Sequence, residues 1–323
     1  MASPNAIFSE LVTTTFRKHS KDIKDNVSKN NALYRRIVDK GNYRKEDGGL
    51  TIVEPLDYAA NNTYQRYSGY DVLNVGASDV ITAAEYQWRQ IALNVTASGQ
   101  ELRTNSGGSK IIALVKARMK NATRTFKNNF SADMYSDGTL PNQITGLQAM
   151  VADTGTGVIG GIDSSVWTFW QNKVQSAAAP IQGGGAIVPS ATTMESLMLP
   201  LWLQLVRGDD QCDLIVTDNN YFTFYEASQL SLKRYTDTNT ASGGFVSLKY
   251  KKADVMFDGG SGIPTNRMYF LNTDYLGLCV HRDADLAVMD DMKPYNQDAS
   301  VTPILWMGNM VCSNRSLQGV LKP

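Results

Sequence analysis

The chain has 323 residues, 42% of them hydrophobic and 19% charged, with Lys plus Arg and Asp plus Glu balanced at 31 each. Such a composition can bury a sizeable core in one to three domains, and it excludes the disordered class. The zero formal net charge gives no global sign of a nucleic-acid binder, although it hides local asymmetry.

The N-terminus, MASPNAIFSELV, has neither the apolar core nor the cleavage pattern of a signal peptide. No apolar run reaches the roughly 18 residues that span a bilayer. A protein made soluble in the cytosol, with no membrane partner, is expected. Cys212, Cys279 and Cys312 are odd in number and far apart, which fits buried small hydrophobes better than a disulfide set. With only His19 and His281, a histidine-rich metal site is excluded. The Asn-x-Ser/Thr sequons at Asn26, Asn61, Asn94, Asn121 and Asn314 carry no meaning without a secretory route.

Residues 1–50 are polar and rich in Lys18, Lys21, Lys24, Lys29, Arg35 and Arg36, with too few apolar residues to own a core. They read as an extended arm that neighbours order, or equally as a frayed terminus, with a short helix around Leu33, Tyr34, Ile37 and Val38. Residues 51–100 read as strands, with apolar patches at 50–55, 72–75, 80–81 and 91–95 and turns at Asn61-Asn62, Ser68-Gly69 and Gly76. Tyr58, Tyr64, Tyr67, Tyr70, Tyr86 and Trp88 crowd this polar stretch. They suit a surface that other subunits cover; the competing reading packs them on the protein's own sheet.

Residues 107–135 carry the strongest helical signal. Ile111, Val115, Met119, Ala122, Phe126 and Phe130 recur at spacings of three or four. Lys116, Lys120, Arg124 and Lys127 form a second stripe. It reads as a solvated face, or as one turned to nucleic acid or an acidic neighbour. Ser106 or Ser109 can cap the start, and Asp137-Gly138 ends the run. At 1.5 Å per residue the helix would be about 40 Å long, enough to cross the molecule as a strut. Residues 136–190 are rich in Gly and Ala and hold an aromatic cluster, Trp167-Thr168-Phe169-Trp170.

From residue 191 the texture is α/β. Helices are expected over 194–206, interrupted by Pro200, and over 220–232. Strands are expected over 212–216, 254–257, 268–271, 277–281, 286–289 and 304–311, the last followed by a short tail. The Thr-, Asn-, Ser- and Gly-rich stretch 236–244 is the best candidate for a mobile tip.

No catalytic constellation emerges. Gly155-x-Gly157-x-x-Gly160 matches the dinucleotide fingerprint as letters, but no helix opens at the third glycine and no acid lies about 20 residues on. There is no Gly-x-Ser-x-Gly elbow, Walker A lysine or HExxH. Asp209-Asp210 and Asp290-Asp291 read as solvated turn residues; an ion bound at a subunit contact is the lesser alternative. No cofactor and no enzymatic activity are expected.

The order of parts is similar to that of the major capsid proteins of tailed bacteriophages with the HK97-type fold. Ser136-Asp137-Gly138-Thr139 followed by Ile144-Thr145-Gly146-Leu147 resembles the "DGTG…GL" turn after that family's spine helix. Gly160-Gly161-Ile162-Asp163 before Trp167 resembles a segment common in phage capsid proteins of this size. Cys212-Asp213-Leu214-Ile215-Val216-Thr217-Asp218-Asn219-Asn220-Tyr221 resembles the strand that enters a helix as "IVLNPxxY". The resemblance implies an α+β fold: an N-terminal arm over 1–50, an E-loop hairpin and stem over 51–100, a P-domain with the spine helix over 101–189 completed by 291–323, and an α/β A-domain over 190–290.

It further implies hexamers and pentamers of the chain itself in an icosahedral virion shell, built in the host cytoplasm around double-stranded DNA. A separate scaffolding protein and a portal are the implied partners, with a decoration protein as an optional one. Intersubunit contacts are expected at Tyr58, Tyr64, Arg66, Tyr67, Tyr70, Tyr86, Trp88 and Arg89. Lumen- or DNA-facing charge is expected at Lys18, Lys21, Lys24, Lys116, Lys120, Arg124 and Lys127. Some relatives cross-link through an E-loop lysine, whereas no lysine lies between Lys45 and Lys110 here, so the loop should dock non-covalently, with Arg66, Arg89 and Arg103 beside the tyrosines. The short run before the arm implies no large cleaved pro-segment. A cellular nanocompartment shell of the same fold, and an α/β enzyme of unrecognised chemistry, are the competing readings.

Overall fold

The computed structural model describes residues 31–104, 108–230, 247–258, 262–290 and 292–323. Helix α1 (Ala32–Asp39) opens where Asn31 Oδ1 accepts the Tyr34 N–H at 2.8 Å. It closes with Gly41 N–H on the Val38 carbonyl and Asn42 N–H on that of Ile37. Its buried face is Ala32, Leu33, Tyr34 and Ile37. Strand β1 (Tyr43–Glu46) follows.

This corrects the expectation for the end of the arm. Residues 31–46 need no neighbouring subunit, because distant parts of the chain supply their core. Tyr34 meets the Phe130 ring edge-on at 5.8 Å. Arg36 pairs with Asp213 at 3.2 Å and Lys40 with Asp274 at 2.8 Å. Ala32 N–H donates to Asp258 at 3.1 Å. The call for residues 1–30 lies outside the described residues.

Strands β2 (Thr51–Asp57) and β3 (Ile81–Gln87) form an antiparallel ribbon, from Thr51 opposite Gln87 to Asp57 opposite Ile81. The expected strand at 72–75 does not form: Val72, Leu73 and Val75 are exposed and outside any ladder. β4 (Arg89–Ser98) is more than a stem, since it pairs along its whole length with the last long strand.

A short helix α2 (Gly99–Thr104) precedes α3 (Gly108–Met134), 27 residues on one axis. Met119, Ala122, Phe126, Phe130 and Met134 are its buried stripe, as the spacing predicted; the side chains of Ile111 and Val115 lie outside the described residues. Phe126 stacks on Phe130 at 5.3 Å, and Phe130 meets Trp306 edge-on at 5.1 Å. Helix α4 (Leu147–Met150) starts just beyond Gly146, where a Cβ would run into Ser136 N, Asp133 O and Ser136 O. The turn that resembles the capsid family therefore has a steric reason for its glycine. Gly146→Ala is expected to cost about 3 kcal/mol by forcing backbone apart, read as a lower midpoint in denaturant unfolding.

The letters of the dinucleotide fingerprint make a hairpin. Strands β5 (Val158–Ile159) and β6 (Ile162–Asp163) flank Gly160 and Gly161 at φ +60° and +75°. A two-residue turn with both φ positive matches the twist of a hairpin and favours glycine there.

The remaining elements are β7 (Lys173–Ser176), α5 (Met194–Gln204), β8 (Leu214–Thr217), α6 (Asn219–Leu230), β9 (Ser247–Tyr250), β10 (Ala253–Phe257), β11 (Met268–Leu271), β12 (Leu276–His281), β13 (Ala287–Val288), β14 (Ala299–Cys312) and β15 (Gly319–Lys322). Pro200 lies inside α5 without ending it. The stretch 236–244 is outside the described residues.

Two sheets organise the molecule. One runs β1-β12-β14-β13 with β4 on β14; the other runs β7-β15-β11-β8-β10-β9. The spine α3 lies on the first sheet, while α5 and α6 cover a face of the second, sharing a core that includes Leu201, Tyr225 and Ile215. Sheet membership cuts across the expected sequence boundaries. β12, placed with the α/β segment 190–290, pairs with β14. The expected tail is strand β15, buried between β7 and β11. Pairing over long separations decides these memberships, and local patterns carry no trace of it.

Candidate intersubunit surfaces

The β2–β3 ribbon buries one face, Ile52, Glu54, Leu56, Ala84 and Tyr86, against the subunit. Glu54 forms an ion pair with Arg44 of β1. Tyr86 donates its hydroxyl to the Cys312 carbonyl at 2.9 Å, and burial raises its phenol pKa. Tyr86 is thus a core residue of its own chain and is removed from the contact candidates. Even-numbered positions of β3 face inward, and Tyr86 falls on that face.

Beyond the ribbon, residues 58–80 make a loop whose shape is set by short side chains. Asn61 Oδ1 accepts from Thr63 N at 2.9 Å, and Asp71 Oδ2 from Ser68 N at 2.8 Å. Gln65 spans the loop, donating to the Val72 carbonyl at 3.0 Å and accepting from Asn74 N–H at 3.2 Å. On this frame Tyr64, Tyr67 and Tyr70 stand 83%, 66% and 105% exposed, with Val72 and Val75 about as bare. Arg66 is exposed among them. Monomers rarely leave so contiguous an apolar set uncovered.

Tyr58, Trp88 and Arg89 are half-buried, whereas Arg103 is exposed. Tyr58 packs on Phe169 at 5.6 Å and Trp167 at 5.9 Å. Trp88 donates its indole N–H to the Gly49 carbonyl at 3.0 Å and rests against His281. Arg89 Nε is buried without a hydrogen bond in the described structure. Arg103, at the end of α2, pairs with Asp298.

Of the basic candidates, Lys120 and Arg124 are exposed and Lys127 is half-buried, all off the stripe of Phe126 and Phe130. The side chain of Lys116 and the residues Lys18, Lys21 and Lys24 lie outside the described residues. Among the described residues no group of three or more His, Cys, Asp or Glu is placed to hold a metal ion, and no helix is long and apolar enough to cross a membrane.

Sequence reasoning missed two features. The first is the exposed Trp167, 50% accessible beside the exposed Val166, whereas its neighbour Trp170 is fully buried. The aromatic cluster was visible, but nothing local separates the two indoles. The second is Arg315, buried with no carboxylate paired to it among the described residues. Its Nε donates to the Met150 carbonyl at 2.8 Å and its Nη2 to Asn172 Oδ1 at 3.1 Å, with the Trp170 ring 6.0 Å away. Burial lowers its pKa.

All three cysteines are free and buried. Burial pushes the Cys279 and Cys312 thiols up to about 12. A thiol is nucleophilic only as the thiolate. The native protein is therefore expected to leave a maleimide dye unreacted at pH 7.5, with labelling only after denaturation; rapid labelling of the native chain would contradict this burial.

Solved structures place the fold. The chain is similar to that of the cyanophage A-1(L) capsid asymmetric unit, with TM-score 0.66 at 16% identity, covering 87% of this chain and 90% of that one. It is also similar to the capsid of the native GTA particle, with TM-score 0.53, 11% identity and 88% of each chain covered. The satellite phage P4 procapsid that includes the size determination (Sid) protein gives TM-score 0.52 at 9% identity, over 94% of this chain and 90% of that one. The α+β fold is that of phage capsid proteins, the HK97-type fold expected from the order of parts. No family model and no curated protein matches the sequence.

Proposed function

We propose that the chain is the major capsid protein of a tailed phage, a subunit that tiles an icosahedral shell as hexamers and pentamers around double-stranded DNA. The observation that carries this reading, beside the fold, is the loop over 58–80, which presents Tyr64, Tyr67 and Tyr70 to solvent on an ordered frame. Aromatic side chains that bury little on their own subunit are suited to a neighbour's surface. Each contact contributes a few kcal/mol at most, and repetition around a closed ring makes the lattice strong while single misplaced subunits still leave.

The loop holds its neighbour without a covalent link, since no lysine lies between Lys45 and Lys110. Lys120, Arg124 and Lys127 on the spine are the described cations that would offset phosphate charge without reading sequence. The role is structural and not enzymatic. Negative-stain microscopy of the protein expressed alone, and with a candidate scaffolding gene, tests the proposal. Closed shells or arrays of hexamers and pentamers support it, and a uniform small particle in both preparations would overturn it.

A further inference from the structure

Where the β2–β3 ribbon meets the β5–β6 hairpin, the subunit has a groove of about 730 Å³. The hairpin is held to the ribbon at Gly160, whose carbonyl accepts the Glu85 N–H at 2.9 Å and where a Cβ would collide with Ala84. Tyr58, Trp167 and Phe169 line the groove as a closed triangle of rings, with centroids 5.6, 5.9 and 6.2 Å apart. Trp167 is 50% exposed, so its ring remains open to an occupant. Its N–H donates to the Asp163 carbonyl at 2.9 Å, which fixes the backbone that presents it.

Asp79, Glu85 and Asp163 line the same groove, and among the described residues no Lys, Arg or His does. None of these carboxylates takes part in an ion pair among the described residues. Asp163 Oδ1 accepts from the Ser165 hydroxyl at 2.7 Å and from its N–H at 2.8 Å. Those bonds hold its pKa below the usual carboxylate range. Like charges gathered in one groove repel, and a cation entering it relieves that repulsion.

A concave site of this size, with rings and a few charged groups, has the form of a small-ligand site. A bare metal ion does not match it, because among the described residues no three carboxylate, thiol or imidazole groups are placed to hold one. Rings favour an organic cation, since an ammonium is drawn to an aromatic face and methylene stems cover the ring. Several ammonium groups spaced by methylenes satisfy rings and carboxylates together.

We infer that this groove binds a linear alkyl polyamine, with its methylenes against Tyr58, Trp167 and Phe169 and its ammonium groups at Asp79, Glu85 and Asp163. The site lies within one subunit, so the inference goes beyond the shell reading and does not depend on it. Bound there, the ligand joins the base of the ribbon to the segment after the hairpin and stabilises the folded chain by mass action.

The test is isothermal titration calorimetry of the unassembled full-length chain with spermidine at about 0.1 M salt, where charges beyond roughly 10 Å are screened. One saturable site per chain is expected, with a thermal midpoint that rises with spermidine concentration. Butylamine has the stem but one charge, and Mg²⁺ has the charge but no stem. Each should bind about ten-fold more weakly than spermidine, or worse. Trp167→Leu removes the aromatic face and should weaken spermidine about five-fold. Asp79→Asn with Glu85→Gln should weaken it about ten-fold. Both of those side chains are exposed, so the midpoint without ligand should stay within about 2 °C of wild type. Absence of saturable spermidine binding, equal binding of butylamine or Mg²⁺, or an affinity that these variants leave unchanged would each overturn the inference. Binding of a short oligolysine but not of spermidine would make the groove a peptide site and overturn it likewise. None of these outcomes touches shell assembly, which the microscope reads separately.

Discussion

Replacing Tyr64, Tyr67 and Tyr70 together by Ser is expected to leave the subunit folded and to abolish closed shells. All three rings are exposed, and among the described residues none takes part in a ring pair or a side-chain hydrogen bond. The loop frame of Asn61, Gln65 and Asp71 is untouched by the change. The thermal midpoint should therefore move by no more than about 2 °C, as for surface substitutions in general. Truncating a buried interface tyrosine costs about 2 kcal/mol. Three such losses at every contact of a ring leave nothing to hold a lattice built from weak joints. Sedimentation velocity and negative-stain images of the variant, beside circular dichroism of the free subunit, check the result. Wild-type shell yield from the triple variant would remove the loop from the assembly contacts.

Arg315→Ala should have the largest effect on the fold itself, a loss of about 4 kcal/mol from the cavity it leaves and from the orphaned Met150 carbonyl and Asn172 amide. The guanidinium joins three stretches that meet nowhere else in sequence: the helix after the spine turn, the segment entering β7, and the chain just before β15. In a chain of 323 residues the thermal midpoint should fall by about 6 °C. Arg315→Lys should recover only part of it, because an ammonium cannot reach both acceptors from one plane. A midpoint for Arg315→Ala within about 2 °C of wild type would show that the site relaxes without cost.

Much of the architecture is legible in local patterns because those patterns act locally. The spine's stripe from Met119 to Phe130 specifies one helical face, and that face is the one buried on β14. The runs at 214–217, 253–257 and 268–271 are mostly apolar and are central strands of one sheet. The four apolar residues of α1 mark a helix but not its partner. The reading of that segment as part of an arm ordered by neighbours failed because its core includes Phe130, and its counter-charges Asp213 and Asp274, all far along the chain.

The candidate surface divides in the same way. A tyrosine-rich loop between turn residues is visible in the sequence, since Asn61-Asn62 and Ser68-Gly69 break any strand whatever surrounds them. Which tyrosines remain outside is not visible. Tyr86 and Tyr70 share one composition and one neighbourhood, yet ribbon pairing with Thr51–Asp57 turns Tyr86 onto Cys312 and leaves Tyr70 bare. Likewise Trp167 and Trp170 stand three residues apart, and the second is buried in the main core with Arg315, from the far end of the chain, over its ring. Local patterns specify most of the helices and strands and the turn-bounded loop, all set by neighbours within a few bonds. Folding in three dimensions sets sheet membership, the docking of residues 31–46 and the exposure of each aromatic ring, because each depends on contacts between residues tens to hundreds of positions apart.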